Sequence, residues 1–307
     1  MMKYEIDSEL ARIAKQKAPS NIYLYSIVNM VMELSTCESS DNVIVNKYAT
    51  PGYKGGKLLT FVIEPKEYSS ILPCIIFYHG GGLLLKASKA HYQIAKWYAE
   101  MAKCKVIFTD YRLLPKYKYP VPVEDCYCTY EWVLNSADRL GINKDKIIVA
   151  GDSAGGNLAA AVALMLWDRI QISPLGALLI YPVLDRRMAT ESMKKFTDTP
   201  VWDAKRTEMF WKAYLGKQMP EQIQYVSPIE AESLKHFPET YIEAAEFDCL
   251  RDEGISFAER LHSEGIPAEF HEVKGACHGF ETALESKMLE ESMQRRIHWI
   301  QSVLSAK

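Results

Sequence analysis

The chain has no long apolar run. Its most hydrophobic N-terminal stretch, Ile22 to Leu34, is about 13 residues long, too short for a membrane span. Ser26, Asn29 and Glu33 interrupt it and no small-residue cleavage site follows, so neither a membrane span nor a secretory signal is expected. An excess of one charge is also missing. Lys and Arg total 36 against 39 Asp and Glu, a net charge of −3, and the charges are mixed along the chain. That leaves no basic stripe for a phosphate backbone, and nucleic acid is not an expected partner. The seven cysteines, at 37, 74, 104, 126, 128, 249 and 277, are odd in number and scattered through apolar stretches. They read as reduced thiols in a cytoplasmic setting, not as a disulfide framework.

Phosphate-binding and metal-binding patterns are incomplete. "GYKGGK" at 52–57 is a residue short of a P-loop, and Leu58 follows where Ser or Thr is needed. "HEVKG" at 271–275 lacks a second histidine, and Cys126 and Cys128 fall on different faces of a helix with no second cluster. No metal or nucleotide cofactor is implied, and there are no internal repeats or low-complexity tracts.

What remains is an ordinary globular composition over 307 residues, 48% hydrophobic and 24% charged, with β-rich runs alternating with helical ones. Strands are expected at Val43–Val45, Leu58–Ile63, Cys74–Tyr78, Val106–Thr109, Ile147–Ala150, Ala177–Tyr181, Thr240–Ala245 and Ala268–Val273. Helices are expected at His91–Lys103, Val121–Arg139, Ala154–Ile170, Asp252–Ser263 and Leu284–Leu304. Continuous apolar strands alternating with helices indicate an α/β chain, a mostly parallel eight-stranded sheet covered on both faces. The first two strands, joined by the turn-rich "ATPGYKGGK", are expected to be antiparallel. Two helix-leaning, aromatic segments have no sheet partner, about 1–40 and 186–226. They are read as cap elements over a single domain spanning 1–307.

Chemistry enters at "IIVAGDSAGGNLAAAVALML", 147–166. Gly151, Asp152, Ser153, Ala154 and Gly155 match G-x-S-x-G between a buried strand and an Ala-rich helix, the context this motif requires. Such a strained strand-to-helix turn projects the serine hydroxyl at the sheet edge, and the helix N-terminus favours developing negative charge. Serine needs a base and an orienting carboxylate. Of seven histidines, His91, His262 and His298 lie in helices, His271 in mid-strand, and His236 has no strand before it. His79 precedes the serine, whereas His278, in "KGACHGF" just past a strand, lies on the edge where Ser153 emerges. Among the acids of "TYIEAAEFDCLRDEG", Glu243 falls inside the strand and Asp252 and Glu253 begin a helix, which leaves Asp248. The order Ser153, Asp248, His278 is that of α/β-hydrolases.

These residues, with "HGGG" at His79, Gly80, Gly81 and Gly82, "DYRLLP" at Asp110 to Pro115, "GDSAGG" at Gly151 to Gly156, "DCLRDEG" at Asp248 to Gly254 and "HGF" at His278 to Phe280, resemble the hormone-sensitive-lipase-like family of α/β-hydrolase esterases. The resemblance implies an α/β-hydrolase fold with a helical cap and carboxylic-ester hydrolysis through an acyl-enzyme. It also implies an oxyanion hole built from the backbone N–H groups of Gly81, Gly82 and Ala154. The chain departs from the family at Leu83, where an aromatic is frequent, at Cys249, often Pro, and at Leu114, commonly Ala. Asp110, Tyr111, Arg112, Asp125 and Asp152 are read as structural polar groups around the glycine loop.

Leu83 and Leu84 are expected to border the pocket, with the cap residues Tyr23, Tyr25, Trp202, Phe210 and Trp211 narrowing it to short acyl groups, acetyl to hexanoyl. The expected partner is a small-molecule ester, with a homodimer left open. An amidase or peptidase using the same triad, or a ligand-binding homologue without catalysis, are the alternatives.

Overall fold

The computed structural model describes residues 3–33, 35–67, 71–217 and 219–305. Leu34, the end of the expected N-terminal helix, and residues 1, 2 and 218 of the two expected cap segments lie outside the described residues. Eight strands form one sheet: β1 Val43–Gly52, β2 Gly56–Pro65, β3 Leu72–Tyr78, β4 Lys105–Asp110, β5 Ile142–Asp152, β6 Gly176–Ile180, β7 Glu239–Phe247 and β8 Ala268–Cys277. Their order is β1-β2-β4-β3-β5-β6-β7-β8. The pair β1–β2 is antiparallel, as the short turn-rich connection requires, and so is β2–β4; the other neighbours are parallel.

Eight α-helices accompany the sheet among the described residues: α1 Leu24–Met32, α2 Lys89–Ala102, α3 Val121–Leu140, α4 Ala154–Ile170, α5 Glu191–Lys195, α6 Ala204–Leu215, α7 Arg251–Ser263 and α8 Lys287–Ser305. Alternate side chains of a strand point to opposite faces, and the core divides accordingly. Val62, Ile76, Ile107, Val149 and Leu179 join α3, α4, α7 and α6 in one cluster. Their neighbours Ile63, Ile75, Phe108, Ile148 and Leu178 join α2 and α8 in the other. The result is a sheet buried between two helical layers, which explains why its central strands read as unbroken apolar runs.

Register is what assembles the site. Tyr78 pairs with Gly151, so the glycine loop leaves β3 close to Ser153, which follows β5. Phe247 pairs with Cys277, so Asp248 and His278 leave β7 and β8 side by side. The two segments read as cap elements meet each other. Lys17 bridges to Val201, the N–H of Val201 donates to the Gln16 carbonyl at 2.9 Å, and that of Ala18 donates to Val201 O at 3.1 Å. The N-terminal segment does not lie wholly over the site: Ile6, Leu10 and Ile13 pack into the α2–α8 cluster instead.

Candidate active site

Ser153 sits between β5 and α4 at φ 55°, ψ −120°, a conformation that side chains resist and neighbours must hold. Its N–H donates to Ile180 O at 2.8 Å, and its carbonyl accepts from the Val183 N–H at 3.2 Å. The turn is tight enough that a Cβ on Gly155 would lie 2.0 Å from the Tyr78 carbonyl oxygen, and one on Gly151 2.3 Å from the backbone of Gly155. Here the glycines of G-x-S-x-G are required by contact.

The Ser153 hydroxyl lies 2.9 Å from His278 Nε2, and His278 Nδ1 lies 2.6 Å from Asp248 Oδ2. The other Asp248 oxygen accepts the Leu250 N–H at 3.0 Å, which fixes the carboxylate plane. Asp248 is fully buried, and Ser153 and His278 are each 4% exposed. The three residues proposed from sequence are therefore brought together in hydrogen-bonding order, in a place almost shut off from water.

Beside them runs the glycine loop. The Gly80 N–H donates to Asp152 Oδ1 at 2.8 Å and the Tyr111 hydroxyl to His79 O at 2.6 Å, so Asp152 and Tyr111 brace it from both sides. The His79 ring, stacked on Tyr111 and Phe108, is buried, and burial pushes its pKa down to about 3. It serves as a neutral pillar. Gly81 and Gly82 turn the loop at φ 100° and 64°, and Ala154, the first residue of α4, has an N–H with no partner within its helix. Arg112 grips Asp125 through Nε and Nη2 at 2.8 and 2.6 Å, and Asp125 also accepts the Tyr53 N–H, a structural clamp as expected.

Sequence reading missed two partners. His91 Nε2 lies 3.3 Å from Asp152 Oδ2. Burial opposes the charge on His91, but Asp152 outweighs it and raises the imidazole pKa. On the other side, Tyr181 packs its ring 4.6 Å from that of His278 and donates its hydroxyl to Glu281. Glu281 and Glu243 both accept from the guanidinium of Arg296, which is wholly buried. Burial raises the Glu281 pKa, with Arg296 working against it. Glu253 is likewise not a cap of its own helix: its carboxylate accepts the N–H groups of Leu184 and Asp185 at 2.7 and 3.0 Å.

The expected pocket residues divide. Trp202 packs 6.2 Å from the His278 ring, and a Cβ on Gly82 would lie 2.6 Å from its indole. Leu83 and Leu84 are wholly buried, Leu83 O accepting the Leu114 N–H and Leu84 O the Asn29 side chain, so both are packed under the loop. Tyr23 does not narrow the site; it is 73% exposed. Successive helical positions are rotated by about 100°, so residues two apart face opposite ways. Tyr25 takes the inward position, its hydroxyl donating to Pro19 O at 3.0 Å. Phe210 is corrected as well: it is buried within α6 against Trp211 and Tyr214, its ring committed to packing inside the cap.

Among the described residues no three His, Cys, Asp or Glu side chains are grouped to hold a metal ion, and no helix is long and apolar enough to cross a membrane. All seven cysteines are free thiols, and only Cys128 is not buried.

A family model described as an alpha/beta hydrolase fold matches residues 75–282, a span that takes in the glycine loop, Ser153, Asp248 and His278. The chain belongs to this family, among its hormone-sensitive-lipase-like esterases. Carboxylesterase NlhH of Mycobacterium tuberculosis is 32% identical over 236 residues, 75% of this chain and 74% of that one. Esterase LipI of the same organism is 32% identical over 209 residues, 68% of this chain; the match spans 65% of LipI, just under two thirds of its length. Among solved structures, a bacterial heroin esterase superposes with a TM-score of 0.89 at 29% identity, covering 98% of this chain and 99% of the other.

Proposed function

We propose that the chain is a carboxylic-ester hydrolase in which Ser153 is the nucleophile, His278 the general base and Asp248 its orienting carboxylate. The observation that carries this is the buried relay from Ser153 through His278 to Asp248, at 2.9 and 2.6 Å, on a strained turn at a helix N-terminus. Membership of an esterase family supports it. His278 takes the Ser153 proton as the hydroxyl attacks the ester carbonyl. Asp248 holds the imidazole with Nδ1 protonated, and the N–H groups of Gly81, Gly82 and Ala154 receive the negative oxygen. The alkoxide leaves with the proton from His278, and water releases the acid by the same steps in reverse.

The substrate is read as an ester of a short acid, acetyl to hexanoyl, because Ser153, 4% exposed, leaves little room for a long acyl chain. Seven free thiols support a reducing, cytoplasmic setting. The 186–226 segment and the stretch from Gln16 to Glu33 form the cap over this site.

Hydrolysis of p-nitrophenyl butyrate, abolished by Ser153→Ala and by an organophosphonate that labels Ser153, tests the reading. Absence of labelling in the native chain would overturn it, and a faster rate on the matched anilide would turn it to an amidase. Acyl preference is tested with acids of two to sixteen carbons: activity rising toward the long end would refute the short-acyl assignment.

A further inference from the structure

We propose that Trp202 is the specificity-determining wall of the alcohol side of the site, limiting the size of the group esterified to the substrate's acid; the proposal rests on the ester-hydrolase reading above. The indole spans the gap between two functional elements, its ring 6.2 Å from that of His278 and its edge in close approach to Gly82. The chemistry decides which half of an ester meets such a ring. As the bond from Ser153 Oγ to the carbonyl carbon forms and the bond to the alkoxy oxygen breaks, that oxygen keeps the electron pair and takes the proton held at His278 Nε2. The alcohol must therefore lie on the His278 side, while the acyl chain stays on Ser153. A ring beside His278 is met by the alcohol.

The wall is also held rigidly. Its indole N–H donates to Thr207 Oγ1 at 2.9 Å, and the Thr207 hydroxyl donates to Asp203 O at 3.2 Å. The backbone that carries it is a three-residue turn, closed by the Trp202 N–H donating to Pro200 O at 2.7 Å, with Val201 at φ 62°. A β-branched residue in the left-handed region is strained, and such turns are rare. The strain persists because Val201 is bonded on both sides to the N-terminal segment, through Gln16 and Ala18. Trp202 cannot swing aside unless that strap is broken.

The test is kcat/KM measured by pH-stat for the full chain, Trp202→Leu and Thr207→Val, on two ester series. One holds acetate constant and varies the alcohol through methyl, butyl, octyl and benzyl; the other holds methanol constant and lengthens the acid. A single methylene against a fitted wall is worth roughly 10- to 200-fold. The native chain is expected to favour methyl over octyl acetate at least tenfold. Trp202→Leu should raise the octyl and benzyl rates about tenfold or more relative to methyl acetate, with the ranking within the acid series kept. Thr207→Val, which keeps the ring but removes its acceptor, should relax the alcohol series part of the way, and it reads the same effect should Trp202→Leu fail to fold. A gain confined to the acid series, or a flat alcohol series in the native chain, overturns the proposal while methyl acetate hydrolysis still upholds the ester reading. A native chain that hydrolyses no ester overturns both.

Discussion

Arg296→Met tests whether the back of the site is held by charge. Arg296 is wholly buried, between Glu243, also wholly buried, and Glu281, 5% exposed. Replacing it leaves two carboxylates whose remaining contacts are the Tyr181 hydroxyl on Glu281, the Tyr241 hydroxyl 3.0 Å from Glu243, and Arg295 at 3.8 Å from Glu243. Breaking a buried pair by removing one partner typically costs about 3–5 kcal/mol. For a chain of this size each kcal/mol is worth about 2 °C, so the melting temperature should fall by about 6–10 °C. The loss should depend on pH. Burial already holds the Glu281 pKa above its usual value, with Arg296 as the opposing cation. Without that cation the folded value moves further above the unfolded one, so stability is retained below about pH 4, the ordinary unfolded range, and falls as pH rises through the folded value. Thermal unfolding followed by near-ultraviolet circular dichroism from pH 4 to 8, at constant ionic strength, measures this. Adding Glu243→Gln and Glu281→Gln to the variant should recover much of the loss. A drop under 2 °C, or a deficit that does not widen with pH, would refute the reasoning.

Asp248→Asn should leave the relay's shape intact but deprive His278 of the correct tautomer, lowering kcat on p-nitrophenyl butyrate by about 10⁴-fold with little change in KM. Gly155→Ala places a methyl 2.0 Å from the Tyr78 carbonyl, a backbone atom that cannot step aside, and should cost both cooperative unfolding and activity. His91→Gln should lower the melting temperature most at pH 6, with the deficit shrinking above neutrality. His91 faces Asp152, neutral His79 and Glu281, and its folded pKa is raised, so its contribution is full below about 6.5, the unfolded value, and fades as pH rises through the folded one. A deficit that grows with pH would contradict this.

The strands were legible because burial on both faces leaves a run of β-branched and apolar residues that few other structures explain. The Ser153, Asp248 and His278 relay was legible because each member follows a strand, so that chain order and sheet edge agree. What escaped reading depends on contacts between distant segments. His91 looked like one more helical histidine, and nothing local marks its approach to Asp152, 61 residues away. Arg296 neighbours the stripe of Met293, Ile297 and Ile300 on α8, yet a long charged side chain at such a position ordinarily reaches solvent. Only the pair of carboxylates across the core makes it an interior residue. The cap was the least legible part. Periodicity marks α1 as amphipathic but cannot say which face docks, and here Asn29, through Leu84 O and the Lys86 N–H at 2.8 Å each, fastens the polar face inward, leaving Ile27, Met30 and Val31 exposed.

Strain binds these observations together. Among non-glycine residues at positive φ, Lys103 and Gln171 merely end helices α2 and α4, where a left-handed cap is routine. Leu83, Ser153, Tyr181 and Val201 do not: they lie in the glycine loop, the serine turn, the end of β6 and the cap turn. Each is held by a partner from elsewhere in the chain: Leu83 O by the Leu114 N–H, the Ser153 N–H by Ile180 O, the Tyr181 N–H by Glu243 O and the Val201 N–H by Gln16 O. At roughly 1–3 kcal/mol each, strained residues of this kind together consume a large part of the 5–15 kcal/mol by which a folded chain is ordinarily stable. Such a cost is sustained only if the surrounding sheet, cap and buried charges over-determine the backbone there. The positions of Ser153, the glycine loop, Tyr181 and Trp202 are thus properties of the whole fold, which is why a five-residue motif locates the serine turn while contacts across the chain decide its geometry.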